Sequence, residues 1–407
     1  MMALTGKVRR QLHLKQGAVL LLMLLIIILG AASFFVSSLN NSSVRTARDN
    51  KTTLSLAQAK DALIGDSVST PSLGSAGYLR LPDLGFGMDN IPAEGSSPPN
   101  FTGNNIDYSV IGKVPWKTLG ISPLQDGQGD CIWYAVSGRF KNDPTTNSPF
   151  NWDTLGQIDV IDGDGNAITN NIAALIISPG QPLDRQDRAL SNPAYTQCGG
   201  NYDARNYLDP YISSDDASNA VNYFPKGTNN RIAHNSKNKQ FVFANNSHHN
   251  DRFLFVTVDE IFRAIIRRND FSIQLASLIN DPYFQTVMPV NTNKGISINI
   301  CSSLLPSNLT FCNNWKEMLL FSRLPTPSSI TVDGANTNLC TRVLIFGGLK
   351  TDTQQRLTTN DKSNPANYLE GSNLNAFLLP TAASGNFTGS STFNPNNPSA
   401  DLLRCIQ

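Results

Sequence analysis

The sequence predicts an α+β protein: a long N-terminal transmembrane helix, then a large, mostly antiparallel β domain with one further helix. Three observations predict this class. A long apolar run lies near the N-terminus, short strand-like segments recur after residue 110, and one segment near residue 257 has helical spacing.

Composition excludes two broad classes of protein. Charged residues make up 15% of the 407-residue chain and the net charge is +1, so no basic excess is available to bind nucleic-acid phosphates. The chain has 44 Asn, and only four of its 31 acidic residues are Glu. Asn and Asp favour turns and caps, whereas helices favour Glu, so a mostly helical protein is not expected.

The N-terminus has the pattern of a membrane anchor. The run from Ala18 to Val36 is almost wholly apolar, and four basic residues precede it: Lys7, Arg9, Arg10 and Lys15. About 20 apolar residues suffice to cross a bilayer, and basic flanks stay cytoplasmic. We therefore expect a single-pass membrane protein whose N-terminal end is cytoplasmic and whose remaining residues lie on the other side of the membrane.

Three interpretations of this segment compete. A secretory signal would be cut near the small residues that begin at Gly30, and a plain anchor would not be cut. A prepilin leader would end at Gly17 and be cut before Ala18. No Pro or Gly occurs between Leu39 and Ile64, so the helix is expected to continue beyond the apolar run and to end near Gly65.

Several segments resemble one protein family, large type IV pilin-like proteins of Gram-negative bacteria, of the minor-pilin or pseudopilin type. These segments are LAQAKDALIG at residues 56–65, GKVPWKTLG at 112–120, CIWYAVS at 131–137 and NDRFL at 250–254. The resemblance implies cleavage by prepilin peptidase between Gly17 and Ala18. It also implies assembly with other pilin-like subunits through the N-terminal helix, starting from the inner membrane. The implied location is the inner membrane, single-pass with the bulk of the chain periplasmic, or extracellular on a filament. Most major pilins carry Glu at the fifth mature position, which is Leu22 here, so a minor subunit is expected.

The chain divides into five expected segments. They are a leader (1–17), a membrane-spanning and docking helix (18–66), an irregular Gly/Pro/Ser/Asn-rich connector (67–110), a first β-rich unit (111–288) and a second (289–407). The strand-like segments are 131–136, 157–161, 167–168, 173–178, 240–244, 253–258, 297–301 and 342–346. Thr257 and Glu260 match a capping box, and apolar residues then recur at helical spacing, so a helix is expected over 258–281.

An internal repeat links the two units. Gly180 is followed by Gln186 and Arg188, and Gly348 is followed at the same distances by Gln354 and Arg356. Each copy starts with an apolar strand and continues to an NYL sequence and an acid. We expect two related strand-loop units, in which the arginine bonds either to loop carbonyls or to that acid. The repeat is either purely architectural or a paired binding edge.

Six cysteines lie beyond the apolar run, where an exported domain would form disulfides. The cysteines are Cys131, Cys198, Cys301, Cys312, Cys340 and Cys405, and six allow 15 connectivities. Cys301–Cys312 is the most local pair. Cys340–Cys405 would tie down the C-terminal tail, as disulfide loops do in many pilins, and Cys131–Cys198 would then remain.

One short acidic segment is a candidate cation site. Asp162, Asp164, Asn166 and Asn170 could offer oxygens to calcium. The glycine and glutamate of an EF-hand loop are missing, and a hairpin turn also explains the segment. Calcium is the one possible cofactor.

Convergent catalytic residues are not evident in the sequence, so no enzyme is expected and no catalytic residue is assigned. The main hypothesis is a minor pilin or pseudopilin. The alternative is an uncleaved, membrane-anchored periplasmic adhesion or ligand-binding protein.

Overall fold

The structure is a computed structural model. It describes residues 6–85, 93–98, 108–141, 149–183, 186–189, 197–198, 200–209, 223–225, 239–246, 248–286, 294–296, 301–378 and 386–407. Within the N-terminal helix, the described side chains are those of residues 21–31, 33 and 42–69.

One continuous helix, α1 (Gly6–Ser69), opens the fold. Its C-terminal part packs on the β domain through Leu56, Ala59 and Leu63, which are buried and recur every three or four residues. The helix ends where Arg268 donates to the carbonyl oxygens of Val68 (2.5 Å) and Thr70 (2.9 Å). The N-terminal part of α1 projects from the domain.

The prediction of a membrane-spanning helix is wrong for the described residues. No helix among them is long and apolar enough to cross a bilayer. The expected location, as a single-pass protein of the inner membrane, is therefore wrong for the described residues as well.

The first unit is built on a five-stranded antiparallel sheet in the order β6-β1-β2-β5-β8. Its strands are β1 (Tyr108–Lys113), β2 (Trp133–Val136), β5 (Ala174–Ser178), β6 (Tyr223–Pro225) and β8 (Arg252–Val256). A three-stranded sheet, β4-β3-β7, comprises β3 (Ile158–Asp162), β4 (Ala167–Ile172) and β7 (Lys239–Phe243).

The large sheet is covered on both faces. Tyr134 and Ile176 point into the core cluster that contains the buried part of α1. Their neighbours Trp133 and Ile177 point the other way, into a second cluster with Ile158 of β3. Successive side chains of a strand alternate between faces, so strands buried on both faces are apolar throughout.

The second unit has a four-stranded antiparallel sheet in the order β15-β13-β10-β9. Its strands are β9 (Lys294–Ile296), β10 (Leu319–Ser328), β13 (Cys340–Phe346) and β15 (Leu402–Ile406). A small sheet contains β11 (Thr331–Val332), β12 (Ala335–Asn336) and β14 (Thr388–Gly389). Trp152 of the first unit stacks edge-on against Trp315 at 4.7 Å, so the main core continues between the units.

The prediction of a single further helix is also wrong. The helices after α1 are α2 (Val258–Ile266), α3 (Asn269–Ile279), α4 (Pro282–Thr286), α5 (Pro306–Trp315), α6 (Thr359–Ser363) and α7 (Gly371–Leu378). The expected helix 258–281 is divided because Arg268 is extended (ψ 138°) where its side chain reaches the end of α1. Its capping box is confirmed: Thr257 Oγ1 accepts from the Glu260 N–H, and Glu260 Oε2 from the Thr257 N–H.

Most predicted strands are present with shifted ends. Eight strands in the described part of the chain were not predicted: β1, β6, β9, β10, β11, β12, β14 and β15. Of the expected strand 297–301, residues 297–300 lie outside the described residues and Cys301 begins a 3₁₀ turn.

Candidate assembly helix and arginine latches

The projecting part of α1 exposes a continuous apolar surface. Every side chain from Leu21 to Leu29 is 53–67% exposed. Leu22, the expected fifth mature residue, is part of this surface. Gly17 and Ala18 belong to the helix, and only their backbone conformation is described. Exposure of a large contiguous apolar patch is typical of an interaction surface.

A loop of the first unit is hydrogen-bonded to the middle of α1. The Gly127 N–H donates to Thr52 Oγ1 at 2.9 Å, and Ser55 Oγ donates to the Gln125 carbonyl oxygen at 2.7 Å. A Cβ on Gly127 would lie 2.4 Å from the Arg48 carbonyl oxygen, so glycine is required for this approach. We call residues 125–128 the clamp loop.

Ion pairs hold α1 on both sides of the clamp loop. Asp49 pairs with Arg252 of β8 at 3.0 Å, and Lys60 pairs with Glu260 of α2 at 2.5 Å. Desolvation alone would raise the pKa of Glu260, but the hydrogen bonds from Lys60 and from the Thr257 N–H lower it overall. The helix is therefore fixed from Asp49 to Ser69, and the apolar surface lies beyond the first contact.

Disulfide bonding of the six cysteines is confirmed. The pairs are Cys131–Cys198, Cys301–Cys312 and Cys340–Cys405. These are the three pairs named from the sequence.

The repeat forms two arginine latches, each of which closes the loop that follows a central strand. In the first, Arg188 donates to the carbonyl oxygens of Gly180 (2.8 Å) and Asn206 (3.1 Å). Its guanidinium lies 4.9 Å from the ring centroid of Tyr207. The Gln186 amide donates to Asp209 Oδ1 at 3.1 Å.

The second latch repeats these contacts. Arg356 donates to the carbonyl oxygens of Gly348 (3.0 Å) and Asn367 (2.6 Å) and lies 4.3 Å from the centroid of Tyr368. Gln354 donates to Glu370 Oε1 at 2.5 Å. In both copies the arginine therefore bonds to loop carbonyls, and the glutamine bonds to the acid of the NYL sequence.

The latches differ in their ion pairs. Arg188 pairs with Asp130 of its own unit at 2.5 Å. Arg356 pairs with Asp153 of the other unit at 3.2 Å, and the two side chains are only 1% and 2% exposed. Burial raises the pKa of Asp153 while the Arg356 charge opposes that shift. The second latch thus joins the two units through a fully buried ion pair.

Buried ionisable side chains at two further places were not predicted from the sequence. Lys113 and Asp83 face each other through paired backbone hydrogen bonds of 2.9 and 3.0 Å. Burial lowers the pKa of Lys113 to about 8 and raises that of Asp83. Asp401, at the start of β15, accepts from Asn373 Nδ2 at 2.8 Å, and burial raises its pKa to about 7. A single Asp or Lys in a sequence of this length does not indicate whether its side chain will be buried in the fold.

The candidate calcium segment is the turn between β3 and β4. Asp162 Oδ1 accepts from the N–H groups of Asp164 (3.0 Å) and Asn166 (2.8 Å), and Oδ2 accepts from the Asn166 amide (3.0 Å). These bonds lower the pKa of Asp162, which is partly exposed. Among the described residues no group of three or more His, Cys, Asp or Glu is placed to bind a metal. Asn170 lies farther along β4, and a calcium site stays a prediction.

Comparisons of the chain with known protein families, with curated proteins and with solved structures found no match.

Proposed function

We propose that this protein is a type IV pilin-like subunit, of the minor-pilin or pseudopilin type, that assembles into a filament through α1. The observation that carries the proposal is the geometry of that helix. One end is fixed on an antiparallel sheet, and the other presents apolar side chains from Leu21 to Leu29 to the surroundings. The resemblance of residues 56–65 and 131–137 to pilin-like proteins supports the same role.

Burial of apolar surface provides the driving force for assembly. Each leucine or isoleucine that becomes covered by a neighbouring helix contributes about 1.5–3 kcal/mol when fully buried. Helices associate along such surfaces at interaxial distances of about 8–10 Å. Other pilin-like subunits are therefore the proposed partners of this surface. The three disulfides suit assembly in an oxidising compartment.

Prepilin peptidase is the proposed processing enzyme, with cleavage between Gly17 and Ala18. Removal of the leader would leave the exposed apolar residues close to the new N-terminus. Leu22 then takes the fifth position, and the absence of an acid there supports a minor rather than a major subunit.

Processing can be tested with two glycine variants of α1. N-terminal sequencing of the wild-type protein should begin at Ala18. Gly17→Ala should retain the leader and should prevent incorporation into filaments. Gly30→Ala is the matched control, because no atom lies within 4 Å of an added Cβ there, and it should be processed normally. An unchanged size for Gly17→Ala together with normal filaments would refute the proposal.

A further inference from the structure

The outer edge of β8 borders a groove beside α1. β8 is the last strand of its sheet in the part of the chain that the structure describes. Residues Arg252 to Leu254 form one side of a groove of about 1090 Å³, and Val44 to Ala57 of α1 form the other. Pockets for small ligands usually measure about 300–1,000 Å³, so this groove has room for a short stretch of polypeptide.

The second unit contains the counterpart of β8. Ser178 and Phe346 each lie two residues before the glycine of their repeat copy. Ser178 pairs with Arg252 of β8, and Phe346 pairs with Leu402 of β15. β8 and β15 therefore occupy equivalent positions beside the central strands β5 and β13.

The outer edge of β15 already carries an extended segment. Ser390, which directly follows β14, forms a parallel bridge with Leu402. The Leu403 N–H donates to the Ser390 carbonyl oxygen at 2.9 Å, and the Ser390 N–H donates to the Asp401 carbonyl oxygen at 3.3 Å. Over the described residues, no strand occupies the same place beside β8, where Phe253 is the counterpart of Leu403.

The groove beside β8 is also cationic at its α1 side. Arg45 and Arg48 line it, and neither side chain makes an ion pair or hydrogen bond within the described part of the chain. Arg252 is already paired with Asp49. The buried carboxylates of Asp126 and Asp251 at the groove are bonded internally. Asp126 Oδ2 accepts from Ser178 Oγ at 2.9 Å, and Asp251 Oδ2 accepts from the Asp209 N–H at 2.8 Å. Two arginines thus remain for the acidic groups of a ligand.

We propose that this groove binds an extended segment of another protein, which adds to the edge of β8 and carries acidic side chains that pair with Arg45 and Arg48. The segment runs parallel to β8, in the way that the extended segment at Ser390 runs parallel to β15. Backbone hydrogen bonds to the edge supply affinity, and the two arginines select carboxylates. Phe243, which is 47% exposed at the groove, offers the segment an apolar contact. This binding is independent of the assembly of α1.

The test uses the full chain and a fluorescein-labelled six-residue peptide of alternating Thr and Glu, followed by fluorescence anisotropy. The peptide should bind, and versions with Lys in place of Glu, or with N-methylated backbone amides, should bind at least tenfold more weakly. The double variant Arg45→Glu/Arg48→Glu should weaken binding of the Glu peptide by at least tenfold. The control Arg263→Glu, on the exposed face of α2 and outside the groove, should not.

Hydrogen exchange locates the bound peptide. The Phe253 amide should exchange more slowly when the Glu peptide is present, measured by mass spectrometry on fragments that cover β8. Absence of binding, equal binding of the Lys peptide, no effect of N-methylation, no effect of the arginine reversals or unchanged exchange at β8 would each overturn the proposal. The peptide comparisons use the wild-type chain, so they remain decisive if the double variant does not fold.

Discussion

Removal of the Arg356 charge should destabilise the whole domain, because this group joins the two units. In Arg356→Met, the Asp153 carboxylate would stay buried without its cation, and the carbonyl oxygens of Gly348 and Asn367 would lose their donors. Breaking a fully buried ion pair by removing one partner costs about 3–5 kcal/mol. The variant should therefore lose about that much free energy of unfolding.

The assay is guanidinium denaturation followed by tryptophan fluorescence, because Trp152 adjoins Asp153 and lies between the units. The matched control is Arg263→Met, since Arg263 and Asp259 form an i,i+4 pair at 2.7 Å with both side chains more than half exposed. That pair should contribute no more than about 0.5 kcal/mol.

A double-mutant cycle separates the pair from its surroundings. Asp153→Asn/Arg356→Met should cost clearly less than the sum of the two single substitutions, because neither charge is then left buried alone. A loss below about 1 kcal/mol for Arg356→Met, or strictly additive losses, would refute the buried joint between the units.

Three further perturbations test separate parts of the structure. Gly127→Ala should loosen α1 and increase its cleavage by trypsin, since the added Cβ meets helix backbone at 2.4 Å, whereas Gly163→Ala, whose Cβ would meet only a side chain at 3.5 Å, should not. Burial raises the pKa of Asp401 to about 7, so the folded state holds a proton that the unfolded state releases above about pH 4, and stability falls as pH rises to 7. Asp401→Asn should remove this dependence, which amounts to about 3 kcal/mol between the free energies of unfolding measured by denaturation at pH 5 and at pH 8. The Cys340–Cys405 disulfide joins residues that are 65 positions apart in the sequence. Its loss in the double variant Cys340→Ser/Cys405→Ser should lower the free energy of unfolding by about 2–4 kcal/mol.

Local patterns predicted the elements that local sequence determines. The absence of Pro and Gly between Leu39 and Ile64 predicted that α1 continues beyond the apolar run, and the Thr257 capping box predicted where α2 begins. The spacing of the repeat predicted two related loops, and the structure adds that each arginine binds carbonyl oxygens. These features depend on residues a few positions apart, so periodicity and capping suffice to find them.

Long-range contacts determined the features that the sequence did not reveal. The break between α2 and α3 follows from Arg268, whose partners in α1 lie about 200 residues earlier. Asp153 meets Arg356 across 203 residues of sequence. β10 contains two prolines, which argue against a strand, yet it pairs with β13 on either side of an irregularity between Arg323 and Ser328.

The central claim is that α1 assembles this protein into a filament through its exposed apolar surface. Site-specific cross-linking tests this claim most directly. A photoreactive amino acid in place of Leu25 should cross-link to the N-terminal helix of another pilin-like subunit in assembled filaments. The same group in place of Leu357, which is 53% exposed on the second unit, controls for chance encounters and should not react with that helix. If the probe at Leu25 forms no cross-link to any N-terminal helix, the proposal that α1 assembles this protein into a filament is contradicted.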